Sequence, residues 1–132
     1  MVKILIVDDT TFMRYNLANI FKGMGCEVAG EAANGQEGVE LYKKIKPDLV
    51  TMDITMPVMD GLQALKAIKQ HDPGARVVMV SSMGQREFVL ESIKSGAAGF
   101  IVKPFHPDKI KNMIERLEKG LPEISLPGTQ AN

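Results

Sequence analysis

The stretch Leu49-Val50-Thr51-Met52-Asp53-Ile54-Thr55-Met56-Pro57 joins a mostly apolar run to an acid and, four residues later, a proline. Leu49 to Met52 lacks the polar alternation of a half-exposed strand. It therefore reads as a strand covered on both faces, the pattern of a parallel sheet flanked by helices. Comparable runs occur at Ile4 to Val7, Val28 to Ala29, Val77 to Val80 and Phe100 to Val102. Their spacing, roughly 20 to 25 residues, is that of one strand-plus-helix unit. Five such units predict a single doubly wound α/β domain, (βα)5, over residues 1–119.

The segments between the runs carry a helical period. Phe12, Met13, Leu17, Ile20, Phe21 and Met24 form one apolar stripe, and Ile110, Met113, Ile114 and Leu117 form another. Val39, Tyr42 and Ile45, then Leu62, Leu65 and Ile68, then Phe88, Val89 and Ile93 mark three more. Thr10 or Thr11 and Asn34 suit helix N-caps, while Asp72-Pro73-Gly74 and Gly96 suit helix ends. Residues 120–132 contain two prolines, two glycines and no helical period, which predicts a loosely held tail.

Sixteen basic and sixteen acidic residues cancel, so nothing global favours nucleic acid or an anionic membrane. No apolar stretch approaches the ~18 residues that span a bilayer, and a strand-like Met1 to Val7 stands where a signal peptide would have its apolar region, so a cytoplasmic protein is expected. Cys26, the only cysteine, excludes an internal disulfide or a cysteine-based zinc site within one chain and reads as a small core residue.

Ligands in open parallel sheets bind beyond the carboxyl ends of the strands. The residues that finish these strands are Asp8-Asp9, Asp53, Ser81-Ser82 and Lys103. Three carboxylates kept close together repel, and a cation is needed to keep them ionised. One magnesium ion suits a partial cage of Asp9 and Asp53, because it takes a few oxygen ligands and leaves positions for water and phosphate.

Val7-Asp8-Asp9, Met52 to Pro57, Asp60-Gly61 and Lys103-Pro104-Phe105 together resemble the signature of two-component response-regulator receiver domains. The likeness runs from Val2 to Lys119. Phe12-Met13-Arg14, Met83-Gly84-Gln85 and Phe100 to Phe105 make the chain most similar to the chemotaxis regulators within that family. The resemblance implies the flavodoxin-like strand order 2-1-3-4-5. It also implies that Asp53 takes a phosphoryl group from a histidine kinase, with Mg2+ held by Asp9, Asp53 and the Thr55 backbone carbonyl, and by Asp8 through water. Lys103 would supply positive charge to a phosphoryl oxygen, with Lys103-Pro104 cis.

By the same resemblance Ser81 is the hydroxyl switch, with Ser82 the alternative, and Phe100 is the aromatic switch. Many chemotaxis members have tyrosine there, so only the packing half of that switch carries over. Thr55 and Met83 would tune dephosphorylation, and an apolar Met83 points to help from a separate phosphatase. Output would pass through Arg86, Val89, Phe100, Val102 and Lys109 to a flagellar motor switch protein, from a monomer that binds neither nucleic acid nor membrane. Three readings compete: a phosphorelay carrier, an aspartate-nucleophile phosphohydrolase, which would need an acid at Thr55, and a flavin binder, whose phosphate the acids would repel.

Overall fold

A computed structural model describes residues 1–119, so the tail expected over 120–132 lies outside the described residues. The elements alternate from β1 (Lys3–Val7), α1 (Thr11–Gly23), β2 (Glu27–Ala32) and α2 (Gly35–Ile45) to β3 (Leu49–Met52) and α3 (Gly61–His71). They continue through β4 (Val77–Ser81), α4 (Arg86–Lys94) and β5 (Gly99–Val102) to α5 (Pro107–Glu118). All strand pairings are parallel, in the order β2-β1-β3-β4-β5. The expected architecture and strand order are both present.

Alternation of side chains along each strand explains the continuous apolar runs. Leu5, Val7, Val50, Met52, Val77, Met79 and Phe100 face one apolar cluster, shared with Val39, Leu65, Ile68 and Val89 of α2, α3 and α4. Ile4, Ile6, Leu49, Val78, Val80 and Ile101 face the other, shared with Leu17 and Phe21 of α1 and Ile110 and Met113 of α5. Because both faces are covered, a polar residue within β3 has no route to water. Thr51 is 1% exposed, and its Oγ1 lacks a hydrogen-bond partner.

Several local expectations are refined. Of the two candidate caps of the first helix it is Thr10 whose hydroxyl accepts from the Met13 amide, and Asn34 caps α2 in the same way. Phe12 does not belong to the buried stripe. At 100° per residue it lies about 140° from Leu17, and it is 76% exposed beside Tyr15 on the outer face of α1. The second strand is longer than Val28–Ala29. It is an edge strand, and its register against β1 shifts between Ile4 and Leu5, leaving Ala29 as the extra residue of a bulge. Gly30 and Glu31 dilute the apolar signal there.

The loop after β3 closes tightly. The Gly61 amide donates to the Ile54 carbonyl at 2.7 Å, and a Cβ on Gly61 would fall 1.8 Å from the Asp53 carbonyl oxygen. The obstruction is backbone, so a side chain cannot be absorbed by a rotamer change.

Two stability predictions follow from this packing. Replacing Thr51 by isosteric valine removes an unsatisfied buried hydroxyl and should raise the unfolding free energy by about 1 kcal/mol in urea denaturation. Gly61→Ala should lower it by about 1–3 kcal/mol, the usual range for overpacking, with chemical-shift changes centred on Asp53 and Ile54.

Candidate functional site

The ladders of β1, β3 and β5 each run one residue beyond the strand's end, and that residue carries the polar side chain. The Asp8 amide donates to the Ala32 carbonyl at 3.0 Å, the Asp53 amide to the Val7 carbonyl at 3.0 Å, and the Lys103 amide to the Ser81 carbonyl at 2.9 Å. Side chains from β1, β3 and β5 are thus fixed along one carboxyl edge by backbone bonds. Asp8, Asp9 and Asp53 each offer a carboxylate oxygen, all within 4.8 Å of one another. Asp8 is 1% and Asp53 is 8% exposed, whereas Asp9 is open to solvent.

Lys103 lies between the two buried acids. Its Nζ donates to Asp8 Oδ2 at 2.7 Å and stands 3.5 Å from Asp53 Oδ2. Thr10 holds the other oxygen of Asp8, with its amide at 2.9 Å and its hydroxyl at 3.0 Å. Asp53 Oδ1 accepts the Ile54 amide at 2.8 Å, which fixes the plane of the carboxylate. The peptide Lys103-Pro104 is cis.

The charge balance singles out Asp53. Burial pushes its carboxyl above the ordinary value, the Lys103 ammonium pulls it back, and Asp8 raises it again. The Ile54 amide then lowers it and Asp9 adds a small rise. Ionising Asp53 in the folded protein is therefore opposed, and a cation among the three acids would relieve that opposition. The donor set is all oxygen, partly buried and open on the Asp9 side, which fits a hard divalent ion such as magnesium.

Ser81 and Ser82 separate by burial. Ser81 is fully buried, and its Oγ accepts the Met83 amide at 3.0 Å, whereas Ser82 is exposed. Thr55 is exposed and Met83 half-buried beside the same edge. Of the expected partner surface, Arg86, Lys109 and Val102 are exposed, the last by 48%. Val89 and Phe100 correct that expectation. At 2% and 8% exposure they share the apolar cluster inside α4, so neither presents a face to a partner. Phe100 is thus already buried while Ser81 is bonded to Met83.

Arg14 was not singled out by its chemistry in the sequence. Its Nη1 donates to the Asp8 carbonyl at 2.6 Å and its Nε pairs with Glu31 at 3.4 Å, tying α1 and β2 to the site. Neither spacing, six residues to Asp8 or the longer separation from Glu31, is a local pairing signal, and only the Phe12-Met13-Arg14 likeness hinted at it. His106 Nδ1 accepts the Asp108 amide at 3.1 Å and caps α5.

The raised Asp53 carboxyl gives a pH prediction. A group whose folded value lies above its unfolded one contributes stability below the unfolded value, and this is lost as pH rises through the folded value. In chelator-treated protein, Asp53→Asn should therefore be the more stable form at neutral pH. Its urea midpoint should change less than wild type between pH 4 and 7; parallel profiles would contradict the assignment.

Comparison with known proteins agrees with this geometry. The sequence profile of the response regulator receiver domain matches residues 4–115. The chemotaxis protein CheY of Thermotoga maritima is 52% identical over 117 residues, covering 89% of this chain and 98% of the relative. That of Bacillus subtilis is 54% identical over 114 residues, covering 86% and 95%. Among solved structures, a chain of the CheX–CheY–BeF3–Mg2+ complex from Borrelia burgdorferi superposes with a TM-score of 0.87 at 39% identity, covering 89% of each chain. No helix among the described residues is long and apolar enough to cross a membrane. With the strand order, the acids at the strand ends and the family profile in agreement over most of its length, the chain belongs to the response regulator receiver domain family.

Proposed function

We propose that this chain is a response regulator of chemotaxis, which accepts a phosphoryl group on Asp53 from a histidine kinase and signals by binding the flagellar motor switch. The observation that carries this reading is the buried Asp53 carboxylate, with Asp8 and Asp9 close enough to share a cation and Lys103 at 3.5 Å. The chemotaxis assignment rests on relatives named CheY, one of which the chain spans over 98% of its length.

An Asp53 oxygen attacks the phosphorus of the donor's phosphohistidine. The P–N bond breaks, its electron pair leaves with the imidazole, and an acyl phosphate forms. Asp9, Asp53 and the Thr55 carbonyl would hold Mg2+, with Asp8 contributing through water. A bound ion would offset the negative charge that carboxylate and phosphoryl oxygens bring together. The Ile54 amide keeps the attacking carboxylate oriented. Lys103 has further N–H donors beyond the one spent on Asp8, and these can meet a phosphoryl oxygen.

Ser81 makes the signal mechanical. To donate to a phosphoryl oxygen its hydroxyl must leave the Met83 amide, and the β4–α4 loop must follow to satisfy that amide. Phe100 then responds by repacking within the core, starting from a buried position. The exposed reading surface is reduced to Arg86, Val102 and Lys109. A separate phosphatase clears the phosphate, since Met83 cannot orient water by hydrogen bonding. The Borrelia complex supports a second protein engaging a relative in the presence of BeF3 and Mg2+.

Incubation with radiolabelled acetyl phosphate and Mg2+ should label the wild type and leave Asp53→Asn unlabelled; equal labelling would remove Asp53 from the mechanism. Ser81→Ala should still label but lose most of the phosphorylation-dependent gain in partner affinity, a coupling of about 5- to 150-fold in typical switches. Binding of the phosphorylated chain to a motor switch protein supports the chemotaxis role. Phosphoryl transfer to a histidine phosphotransfer domain without motor binding would establish a phosphorelay carrier instead.

A further inference from the structure

Beside the three acids stands a cation that the phosphoryl chemistry does not use. Arg14 lies in the first turn of α1, and its side chain is only 17% exposed. A guanidinium stays charged at any physiological pH. By charge alone Arg14 would therefore oppose a magnesium ion held one residue away, since like charges repel.

Its contacts point to a different role. Nη1 donates to the Asp8 carbonyl at 2.6 Å, Nη2 donates to the Thr11 hydroxyl at 3.3 Å, and Nε stands 3.4 Å from a Glu31 carboxylate oxygen. The guanidinium fork is thus fixed by α1 on one side and by β2 on the other. Its target is the peptide that joins Asp8 to Asp9. A peptide is a rigid plane, so the Asp8 carbonyl and the Asp9 amide turn together. On the other side of Asp8 the amide donates to the Ala32 carbonyl at 3.0 Å. The end of β2 therefore acts on Asp8 twice, through Ala32 directly and through Glu31 on the guanidinium.

The two buried acids have restraints on their own carboxylates: Thr10 and Lys103 hold Asp8, and the Ile54 amide holds Asp53. Asp9 is the exposed acid, and the plane of the peptide before it decides where its side chain sets out.

We propose that Arg14 is a positioning residue for the divalent cation: through the Asp8 carbonyl it fixes the Asp8-Asp9 peptide, and with it the Asp9 carboxylate, in the orientation that shares a cation with Asp53. This role rests on the three acids forming a magnesium site. It makes the net effect of Arg14 on cation binding favourable, opposite in sign to the effect of its charge.

Mg2+ titration of the full chain, followed by the NMR shifts of the Asp9 and Asp53 amides, tests the sign. Arg14→Gln should weaken Mg2+ binding by about tenfold, the lower end of the losses caused by removing an outer partner of a metal ligand. Arg14→Lys keeps the charge and an aliphatic stem but loses the fork, so it should weaken binding several-fold. Charge acting alone predicts tighter binding in Arg14→Gln and no change in Arg14→Lys. Urea denaturation confirms that each variant is folded, and the Mg2+ affinity of the folded chain does not move with stability alone. If Arg14→Gln fails to fold, Arg14→Lys decides. Wild-type or tighter affinity in either folded variant would overturn the role of Arg14 and leave the metal site standing. A wild-type chain without Mg2+-dependent shifts at Asp9 and Asp53 would remove the metal site and this role together.

Discussion

The structure depends on the Lys103 ammonium being held between two carboxylates at the end of an apolar sheet. Asp8 is almost wholly buried and its partner is 2.7 Å away, so the pair is shielded from water on most sides. Removing one member of such a pair costs about 3–5 kcal/mol, because the other charge is left buried and uncompensated. Lys103 nonetheless cannot satisfy both acids equally. At 3.5 Å it leaves Asp53 with a carboxyl that burial still pushes up. That residual imbalance sets Asp53 apart within the cluster.

Holding those charges in place is the work of backbone, not of side-chain packing nearby. Each of the three site residues extends a strand ladder by one bond, and each strand is clamped between two apolar clusters. Thr10 and Arg14 secure Asp8 from α1, and the Ile54 amide and the close approach of Gly61 secure Asp53 from the other side. The Ser81 hydroxyl, bonded to the Met83 amide, sits where β4 gives way to the loop before α4.

Much of this was legible because the relevant signals are local. Continuous apolar runs mark strands buried on both faces, and polar residues at their carboxyl ends mark the working edge, so Asp8, Asp9, Asp53, Ser81 and Lys103 could be picked out together. Val89 and Phe100 show the limit of that reading. Both lie on elements flanking a candidate surface, and only burial tells that their side chains point inward. Phe12 failed in the opposite sense: an apolar residue next to a buried stripe was assigned to it, although helical rotation turns it to solvent.

By itself the sequence determined the five strand-helix units, the parallel covered sheet and the identity of the acids and lysine at its edge, since periodicity and strand ends are properties of neighbouring residues. Tertiary structure decided which charges pair. That Lys103 bonds Asp8 more closely than Asp53, that Arg14 reaches the Asp8 carbonyl, and that Ser81 rather than Ser82 is enclosed depend on strands brought side by side. Asp8 and Lys103 lie 95 residues apart along the chain, and no local rule relates their distance. Electrostatic energy in a buried site depends on ångströms of separation and on solvent access, both of which exist only once the chain has folded.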